Sequence, residues 1–313
     1  MNLQQLKYVV EVEREKSITA AAKKLYVGQP NLSKSIKELE QEIGATIFNR
    51  TGKGVELTNA GIQFLRYAKS ILAQFEELES LFHPDSQNAV SFAASVPRAT
   101  YISDVFAKFT DSLSAKGCVN IKYRETNSVD TITDVVVGDS SIGVVRYNQA
   151  YEEYYMNLLR DSALQFELLL NFEMQLLLSR SHPLAEAESI SRSQLEPYTE
   201  LLFADVQEPA LPKSRLSDSA ELFKPKSCIN IFDRGSQFSF LQNVYGSYLW
   251  VSPMPQQELL RYDLVVKPCK DVGLSRDIII YKNRDTLSDV QLEFIKLLHT
   301  AAENIDTTER ITE

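Results

Sequence analysis

The stretch of residues 17–43 constrains the fold more than any other part of this 313-residue chain. Ser17 suits the cap of a short helix, residues 18–25, and the segment 26–28 then makes a turn that contains a glycine. Pro30 fits the first turn of the next helix, because its missing N–H is not needed there. Apolar residues of that helix recur in steps of four, three and four and form a buried stripe: Leu32, Ile36, Leu39 and Ile43.

The opposite face of this helix is polar. It carries amide, hydroxyl and ammonium groups near the start of the helix: Gln29, Pro30, Asn31, Ser33, Lys34 and Lys37. Amide side chains pair with adenine edges, and lysines pair with guanine or phosphate. With the amphipathic helix of residues 3–16 before them, the two helices predict a helix-turn-helix whose polar face enters the major groove of DNA. An ordinary helical hairpin with a solvated polar face is the alternative on this pattern alone.

Residues 45–58 then alternate apolar and polar side chains around a Gly-Lys-Gly turn, as a small β-hairpin does. Arg50 and Lys53 lie at the tip of this hairpin. A structural hairpin does not need two cations there, whereas a wing beside a helix-turn-helix would use them for a backbone or minor-groove contact. The sequence therefore predicts a winged helix-turn-helix domain over residues 1–58.

The run from Ser17 to Leu72 resembles the DNA-binding signature of the LysR-type transcription regulators. The matching residues are Ala21 with Ala22, Gln29 with Pro30, Ser33, Leu39 with Glu40, Phe48 with Arg50, and Thr58 with Gly61. This resemblance implies that the domain is DNA-binding, with its groove and backbone contacts made by Thr19, Gln29, Pro30, Asn31, Ser33, Lys34, Lys37, Arg50 and Lys53. Lys34 departs from the arginine that the family often has, and a lysine lacks the planar fork of arginine.

A long linker helix is predicted over residues 59–84, capped by Thr58 and ended by Pro84. Its apolar residues alternate steps of four and three, which is a heptad pattern: Phe64, Ala68, Ile71, Phe75, Leu78 and Phe82. We interpret them as a dimerisation surface, and the alternative is a helix packed on its own domain. The resemblance favours a homodimer or homotetramer that binds an inverted repeat in promoter DNA and acts on RNA polymerase.

From residue 89 the pattern changes to apolar strands separated by helices, which indicates an α/β fold with a mostly parallel sheet. Strands are predicted at 90–95, 120–125, 142–147, 166–172, 175–179, 228–232, 248–252 and 277–281, and helices at 99–114, 128–138, 236–246, 255–261 and 287–302. The layout resembles the effector-binding domain of LysR-type regulators, two lobes like those of periplasmic binding proteins. That resemblance implies one lobe at about 89–160 and 270–303 and another at about 165–265.

Ligands of open α/β sheets bind beyond the C-terminal ends of the strands, where helix N-termini favour anions. Several hydroxyl groups and three arginines follow the predicted strands, so we expect a small anionic or zwitterionic effector. The expected effector-binding residues are Ser95, Pro97, Arg98, Thr100, Thr126, Asn127, Ser128, Arg146, Phe203, Asp233, Arg234 and Gly235.

The net charge of −9 does not argue against DNA, because it is unevenly distributed. Residues 1–58 carry nine Lys or Arg against seven Asp or Glu, which gives them a net charge of +2. Local phosphate neutralisation decides binding to nucleic acid, and an acidic body is compatible with it. The chain also lacks an apolar run of signal-peptide or membrane-spanning length, so we expect a cytoplasmic protein.

Enzyme chemistry is not expected. The three histidines have no metal-ligand spacing, and neither a phosphate loop, a dinucleotide fingerprint nor a nucleophile elbow occurs. We therefore expect no catalytic residues, no metal and no cofactor besides the effector. Cys118, Cys228 and Cys269 form no CxxC pair, and a regulator switched by cysteine oxidation is the alternative to one switched by a bound metabolite.

Overall fold

The computed structural model describes residues 1–51, 54–82, 89–114, 118–205, 225–270 and 272–311. The chain forms two compact units, one of Met1–Ala89 with Val136–Asp139 and one of Val90–Val135 with Ser140–Glu313. Within the described part of the chain, no helix is both long enough and apolar enough to cross a membrane.

The structure contains the predicted helices and strands, and it adds a helix at Glu152–Asp161 and a strand at Leu264–Pro268 that the hydrophobic pattern did not predict. The helices are α1 (Leu3–Glu15), α2 (Ile18–Lys24), α3 (Gln29–Ile43), α4 (Asn59–Phe82), α5 (Thr100–Ser114), α6 (Ser128–Val137), α7 (Glu152–Asp161), α8 (Ser236–Asn243), α9 (Gln256–Arg261) and α10 (Asp289–Ile311). The strands are β1 (Phe48–Thr51), β2 (Gly54–Leu57), β3 (Ala89–Val96), β4 (Cys118–Glu125), β5 (Ile142–Asn148), β6 (Gln165–Glu173), β7 (Gln175–Ser179), β8 (Thr199–Phe203), β9 (Ser227–Ile231), β10 (Ser247–Val251), β11 (Leu264–Pro268) and β12 (Leu274–Tyr281).

The first unit is a winged helix-turn-helix followed by the linker helix, as predicted. The Ser17 hydroxyl accepts a hydrogen bond from the Ala20 amide and caps α2, and the Thr58 hydroxyl accepts one from the Gly61 amide at the start of α4. These local bonds satisfy amides that have no partner inside the helix. A common core then joins the helices to the wing: Val9, Val12, Ala21, Ala22, Leu32, Ile36, Leu39, Ile47, Phe48, Val55 and Leu65.

The second unit contains two five-stranded sheets. One has the strand order β4-β3-β5-β12-β6, and we call the part of the chain built on it the first lobe. The other has the order β11-β7-β10-β8-β9 and forms the second lobe. In the first lobe, α5 and α10 bring Phe106, Phe109 and Phe294 against Phe92 of β3, with ring centroids 4.9–6.2 Å apart.

The prediction of a mostly parallel sheet is wrong. β12 pairs antiparallel with both β5 and β6, and β7 pairs antiparallel with both β10 and β11. Parallel pairing joins β3 to β5, β10 to β8 and β8 to β9. Because β12 returns late in the chain between strands laid down much earlier, its direction depends on a long-range connection that periodicity does not report.

Candidate functional site

The polar face of α3 lies where the helix-turn-helix prediction requires it. Five of its six predicted residues are exposed, and Ser33 is partly buried. The stripe of Leu32, Ile36 and Leu39 on the other side is buried in the core of the unit. This amphipathic split leaves amide and ammonium groups on one accessible surface, which both a groove-binding helix and a hairpin with a solvated polar face would show.

Two further features shape the start of α3. Gly28 occupies the N-cap position and offers no side-chain hydrogen bond, and Pro30 stands in the first turn, so the helix begins without a side-chain cap. Lys34 lies 3.8 Å from Glu38, and both side chains are well exposed, so this contact leaves the lysine accessible to solvent.

The Glu40 carboxylate connects α3 to the wing. Its Oε1 atom accepts hydrogen bonds from the backbone amides of Ile47 and Phe48, at 2.7 and 3.1 Å. Gly61 packs on the same turn so closely that a Cβ atom there would lie 2.1 Å from the Ile47 carbonyl oxygen. These contacts give Glu40 and Gly61 a structural role, which is to fix the angle between α3, the wing and α4.

The remaining predicted DNA-binding residues differ in what the structure describes. Thr19 is exposed on α2. Arg50 lies on β1, and its backbone pairs with that of Val55 on β2. The side chain of Arg50 and the whole of Lys53 lie outside the described part of the chain.

The predicted dimerisation stripe divides into two halves. Phe64 and Ala68 pack against Leu6 of α1 in the same chain, and the Lys7 ammonium lies 5.9 Å from the centre of the Phe75 ring. For these positions the alternative, packing within the chain, is what the structure shows.

A second stripe on α4 is exposed and apolar. Ile71 and Leu78 from the predicted set are exposed to 40% and 52%, and Tyr67, four residues before Ile71, is exposed to 65%. The side chain of Phe82 lies outside the described residues. We call Tyr67, Ile71 and Leu78 the α4 stripe.

Four of the predicted effector-binding residues come together between the two lobes. They line a depression, which we call the interlobe cleft, together with apolar and polar side chains of the second lobe: Arg98, Thr100, Phe203, Arg234, Gln237, Leu249, Trp250, Val251, Ser252 and Met254. Arg98 and Thr100 precede or begin α5, whereas Phe203 ends β8 and Arg234 follows β9. The rule that ligands bind beyond strand ends therefore located this cleft.

The two cleft arginines are held by carboxylates from the opposite lobe. Arg98 donates a hydrogen bond to Asp205 at 2.8 Å and stacks on Phe203, with its Cζ atom 4.3 Å from the ring centre. Arg234 donates to Glu125 at 2.6 Å and to the Thr100 hydroxyl at 2.5 Å. The Asn127 amide adds a 3.0 Å hydrogen bond to the Asp205 carbonyl oxygen.

Arg146, the third predicted arginine, is committed to an internal ion pair. Its guanidinium binds both carboxylate oxygens of the fully buried Asp277, and the Tyr101 hydroxyl donates to the same carboxylate at 2.6 Å. Burial has the largest single effect and would lower the pKa of Arg146, but the charge and hydrogen bonds of Asp277 and Tyr101 together outweigh it, so the pKa lies above its usual value. Burial, followed by the charge of Asp277, raises the pKa of Tyr101. Arg146 therefore has a structural role in the first lobe, and its role in effector binding stays a prediction.

Several other predicted effector residues serve the fold. Ser95 is fully buried and donates to Asp134 at 2.5 Å, and the Ser128 hydroxyl bonds both the backbone carbonyl and the backbone amide of Arg146. The Asp233 carboxylate accepts from the Ser236 amide at 2.8 Å, which lowers its pKa. Of the other predicted effector-binding residues, Pro97 and Thr126 are buried, and Gly235 is the N-cap of α8.

Sequence reasoning missed the acidic partners of the cleft. Glu125 is the last residue of β4, and Asp205 follows β8 by two residues, so the strand-end rule that selected the arginines could have selected them as well. Trp250 and Met254 lie on and after β10 and were missed because an apolar strand residue is usually a core residue.

The described cysteines lie apart from each other, and the described residues offer no metal-binding cluster. Cys228 is exposed on β9, and Cys269 is buried in the second lobe against Leu176 and Tyr248. Among the residues that the structure describes, no group of three or more His, Cys, Asp or Glu side chains could hold a metal ion.

Comparison with known proteins agrees with the helix-turn-helix. Residues 3–62 match the model of a family described as bacterial regulatory helix-turn-helix proteins of the lysR family. A probable RuBisCO transcriptional regulator from Trieres chinensis is 35% identical over 187 residues, which cover 58% of this chain and 57% of that protein. The chain thus matches somewhat more than half the length of that relative. The transcriptional regulator AlsR of Bacillus subtilis is 24% identical over 95% of both chains.

Solved structures extend the likeness of fold to nearly the whole chain. Full-length CbnR, solved in complex with its target DNA, superposes with a TM-score of 0.58 at 17% identity over 96% of this chain and 100% of CbnR. LysG of Corynebacterium glutamicum, solved with bound effector Arg, gives 0.58 at 13% identity over 97% of this chain and 99% of LysG. The matched family consists of regulatory proteins rather than enzymes. Residues 3–62 therefore match the helix-turn-helix of the lysR family, and the chain as a whole is similar in sequence to AlsR and in fold to CbnR and LysG.

Proposed function

We propose that this chain is a LysR-type transcription regulator that binds double-stranded promoter DNA through α3. The observation that carries the proposal is the exposed polar face of α3 opposite a buried apolar stripe. Gln29 and Asn31 would read adenine edges, and Lys34 and Lys37 would meet guanine or phosphate. CbnR, which has a similar fold, was solved with its target DNA, and this supports the proposal that the chain binds DNA.

The proposed DNA-binding species is a homodimer or a homotetramer. The exposed α4 stripe supports it, because three apolar side chains on one face of a long helix are poorly placed in a monomer. Two copies would present two α3 helices to successive major grooves, which corresponds to an inverted repeat. Regulation would follow from contact with RNA polymerase at the bound promoter.

The proposed regulator responds to a small molecule that binds in the interlobe cleft. The cleft combines an aromatic and aliphatic wall with charged and hydroxyl groups at its rim, which is typical of small-ligand sites. LysG, with its similar fold and its bound Arg, supports this use of the domain. Ligand binding must favour one arrangement of the lobes over another, because a ligand that bound both equally would shift nothing.

Genome-wide mapping of DNA bound by the full chain would identify the operator, and fluorescence anisotropy on operator and random duplexes would then test α3. We expect Ser33→Ala to reduce the preference for the operator, and Lys37→Ala to weaken binding to both duplexes and lower the salt slope by about one. Lys53→Ala is expected to behave like Lys37→Ala.

Lys226→Ala is the matched control, because Lys226 is an exposed lysine of the second unit, and it should change neither affinity. Equal losses on operator and random DNA for both Ser33→Ala and Lys37→Ala would contradict the assignment of α3.

A further inference from the structure

We propose that the interlobe cleft selects a ligand of zero net charge that carries both a carboxylate and an ammonium group. The proposal rests on the proposed function of the cleft as the effector site, and it narrows the chemical class of that effector. It follows from the way the charges of the cleft are already paired across the two lobes.

The first pair is Arg98 with Asp205. Arg98 follows β3 in the first lobe, and Asp205 follows β8 in the second lobe. The Arg98 side chain is only 12% exposed, and its guanidinium both stacks on Phe203 and donates to Asp205 at 2.8 Å. An incoming carboxylate that binds Arg98 therefore either shares the guanidinium with the Asp205 carboxylate or takes its place.

The second pair reverses the lobes. Arg234 belongs to the second lobe and Glu125 to the first, and they meet at 2.6 Å with side-chain exposures of 21% and 18%. Asp104 on α5 also interacts electrostatically with Arg234. Its pKa is raised by burial and then by the charge of Glu258 on α9, which opposes ionisation of Asp104. Neither cleft arginine therefore offers an uncompensated positive charge to a ligand.

A simple anion would meet a cost in this cleft. On binding either arginine it displaces or crowds a carboxylate, which is 35% exposed at Asp205 and 18% exposed at Glu125. A carboxylate that loses its cation is unfavourable, and the cost is larger at the more buried Glu125. A ligand with an ammonium group supplies the missing cation to Asp205 or Glu125 while its own carboxylate binds the arginine. One ion pair is exchanged for two, and the apolar wall of Trp250 and Met254 remains for the rest of the ligand.

The test uses compounds that share an apolar body and differ in charge. L-phenylalanine, 3-phenylpropanoate and 2-phenylethylamine form one set, and L-leucine, 4-methylpentanoate and 3-methylbutylamine form an aliphatic set. Calorimetric titration of the full chain is expected to show a zwitterion binding at least about tenfold more tightly than the acid and the amine of its set. An acid that binds more tightly than its zwitterion, or no binding by either zwitterion, would overturn the proposal.

Two variants test the residues. In Asp205→Asn the competing carboxylate is gone, so the acid should gain at least about tenfold relative to the zwitterion, and Glu125→Gln should act in the same direction. Glu196→Gln changes an exposed carboxylate outside the cleft and should leave the order of the three ligands as in the parent chain. An unchanged order in both cleft variants would also overturn the proposal. Operator binding is measured on the same preparations: if it persists while the ligand order is wrong, only the ligand class fails, whereas its absence refutes the proposed function.

Discussion

Asp277, which has no exposed side-chain surface, accepts hydrogen bonds from the Arg146 guanidinium on both carboxylate oxygens, at 2.8 and 2.7 Å. The two residues are paired across β12 and β5, and the Arg146 guanidinium also lies 4.8 Å from the centre of the Phe172 ring. The Tyr101 hydroxyl on α5 completes the arrangement. A buried charge pair thus joins two strands of the first-lobe sheet, and the Tyr101 hydroxyl joins α5 to that pair.

Asp277→Asn is expected to destabilise the chain by about 3–5 kcal/mol, because it leaves the Arg146 cation buried without its counter-charge. Differential scanning calorimetry of the full chain would measure the loss. The exposed pair of Lys226 and Glu196 provides the control, and Glu196→Gln should cost at most about 1 kcal/mol. Similar losses for the two variants would show that the buried pair contributes no more than a surface pair.

Glu40→Ala is expected to destabilise the winged helix-turn-helix by about 1–3 kcal/mol, because the amides of Ile47 and Phe48 lose their acceptor. Hydrogen–deuterium exchange at these two amides should accelerate accordingly. Glu38→Ala on the exposed side of α3 is the control and should leave the exchange of both amides unchanged. Protection of both amides in the Glu40 variant would mean that another group holds the wing.

His182 should make stability depend on pH. Burial lowers its pKa below 6.5, and a hydrogen bond with the Gly246 backbone only partly opposes this. As pH falls below 6.5, the unfolded chain takes up a proton that the folded chain resists, so this contribution to the free energy of unfolding is complete above 6.5 and decreases below it.

In the parent chain the Leu184 amide donates a hydrogen bond to His182 Nδ1 at 3.0 Å. His182→Asn removes the titrating ring and can keep an acceptor for this hydrogen bond. The parent chain should therefore lose stability more steeply than this variant between about pH 7.5 and about pH 5.5. Denaturant unfolding at a series of pH values measures both slopes, and equal slopes would contradict the prediction.

Leu78→Glu is expected to weaken self-association at least about tenfold, because it places a charge in the exposed α4 stripe. Sedimentation velocity over a range of concentrations would measure the change. Leu260→Glu makes the same substitution at an exposed leucine of α9, outside the α4 stripe, and serves as the control. If Leu78→Glu leaves the association unchanged, the α4 stripe does not form the dimer contact.

The helix-turn-helix could be predicted almost completely from the sequence because its signals are local. The period of Leu32, Ile36 and Leu39 determines which side of α3 is buried, and the polar face follows from the geometry of one helix. The cap at Ser17 is likewise formed by residues three positions apart. For the interlobe cleft, the strand-end rule identified Arg98, Thr100 and Arg234, which lie at the ends of short apolar strands.

The tertiary structure decided which of the predicted arginines have carboxylate partners and which of them line the interlobe cleft. The sequence does not report that Asp205 lies 107 residues from Arg98 and yet pairs with it, or that Arg146 is paired with Asp277 of a strand 131 residues away. The face of α4 that α1 covers depends on packing in the same way. The sequence shows which side chains carry a charge. Which opposite charges surround each of them depends on residues that are distant in the sequence and that only folding brings together.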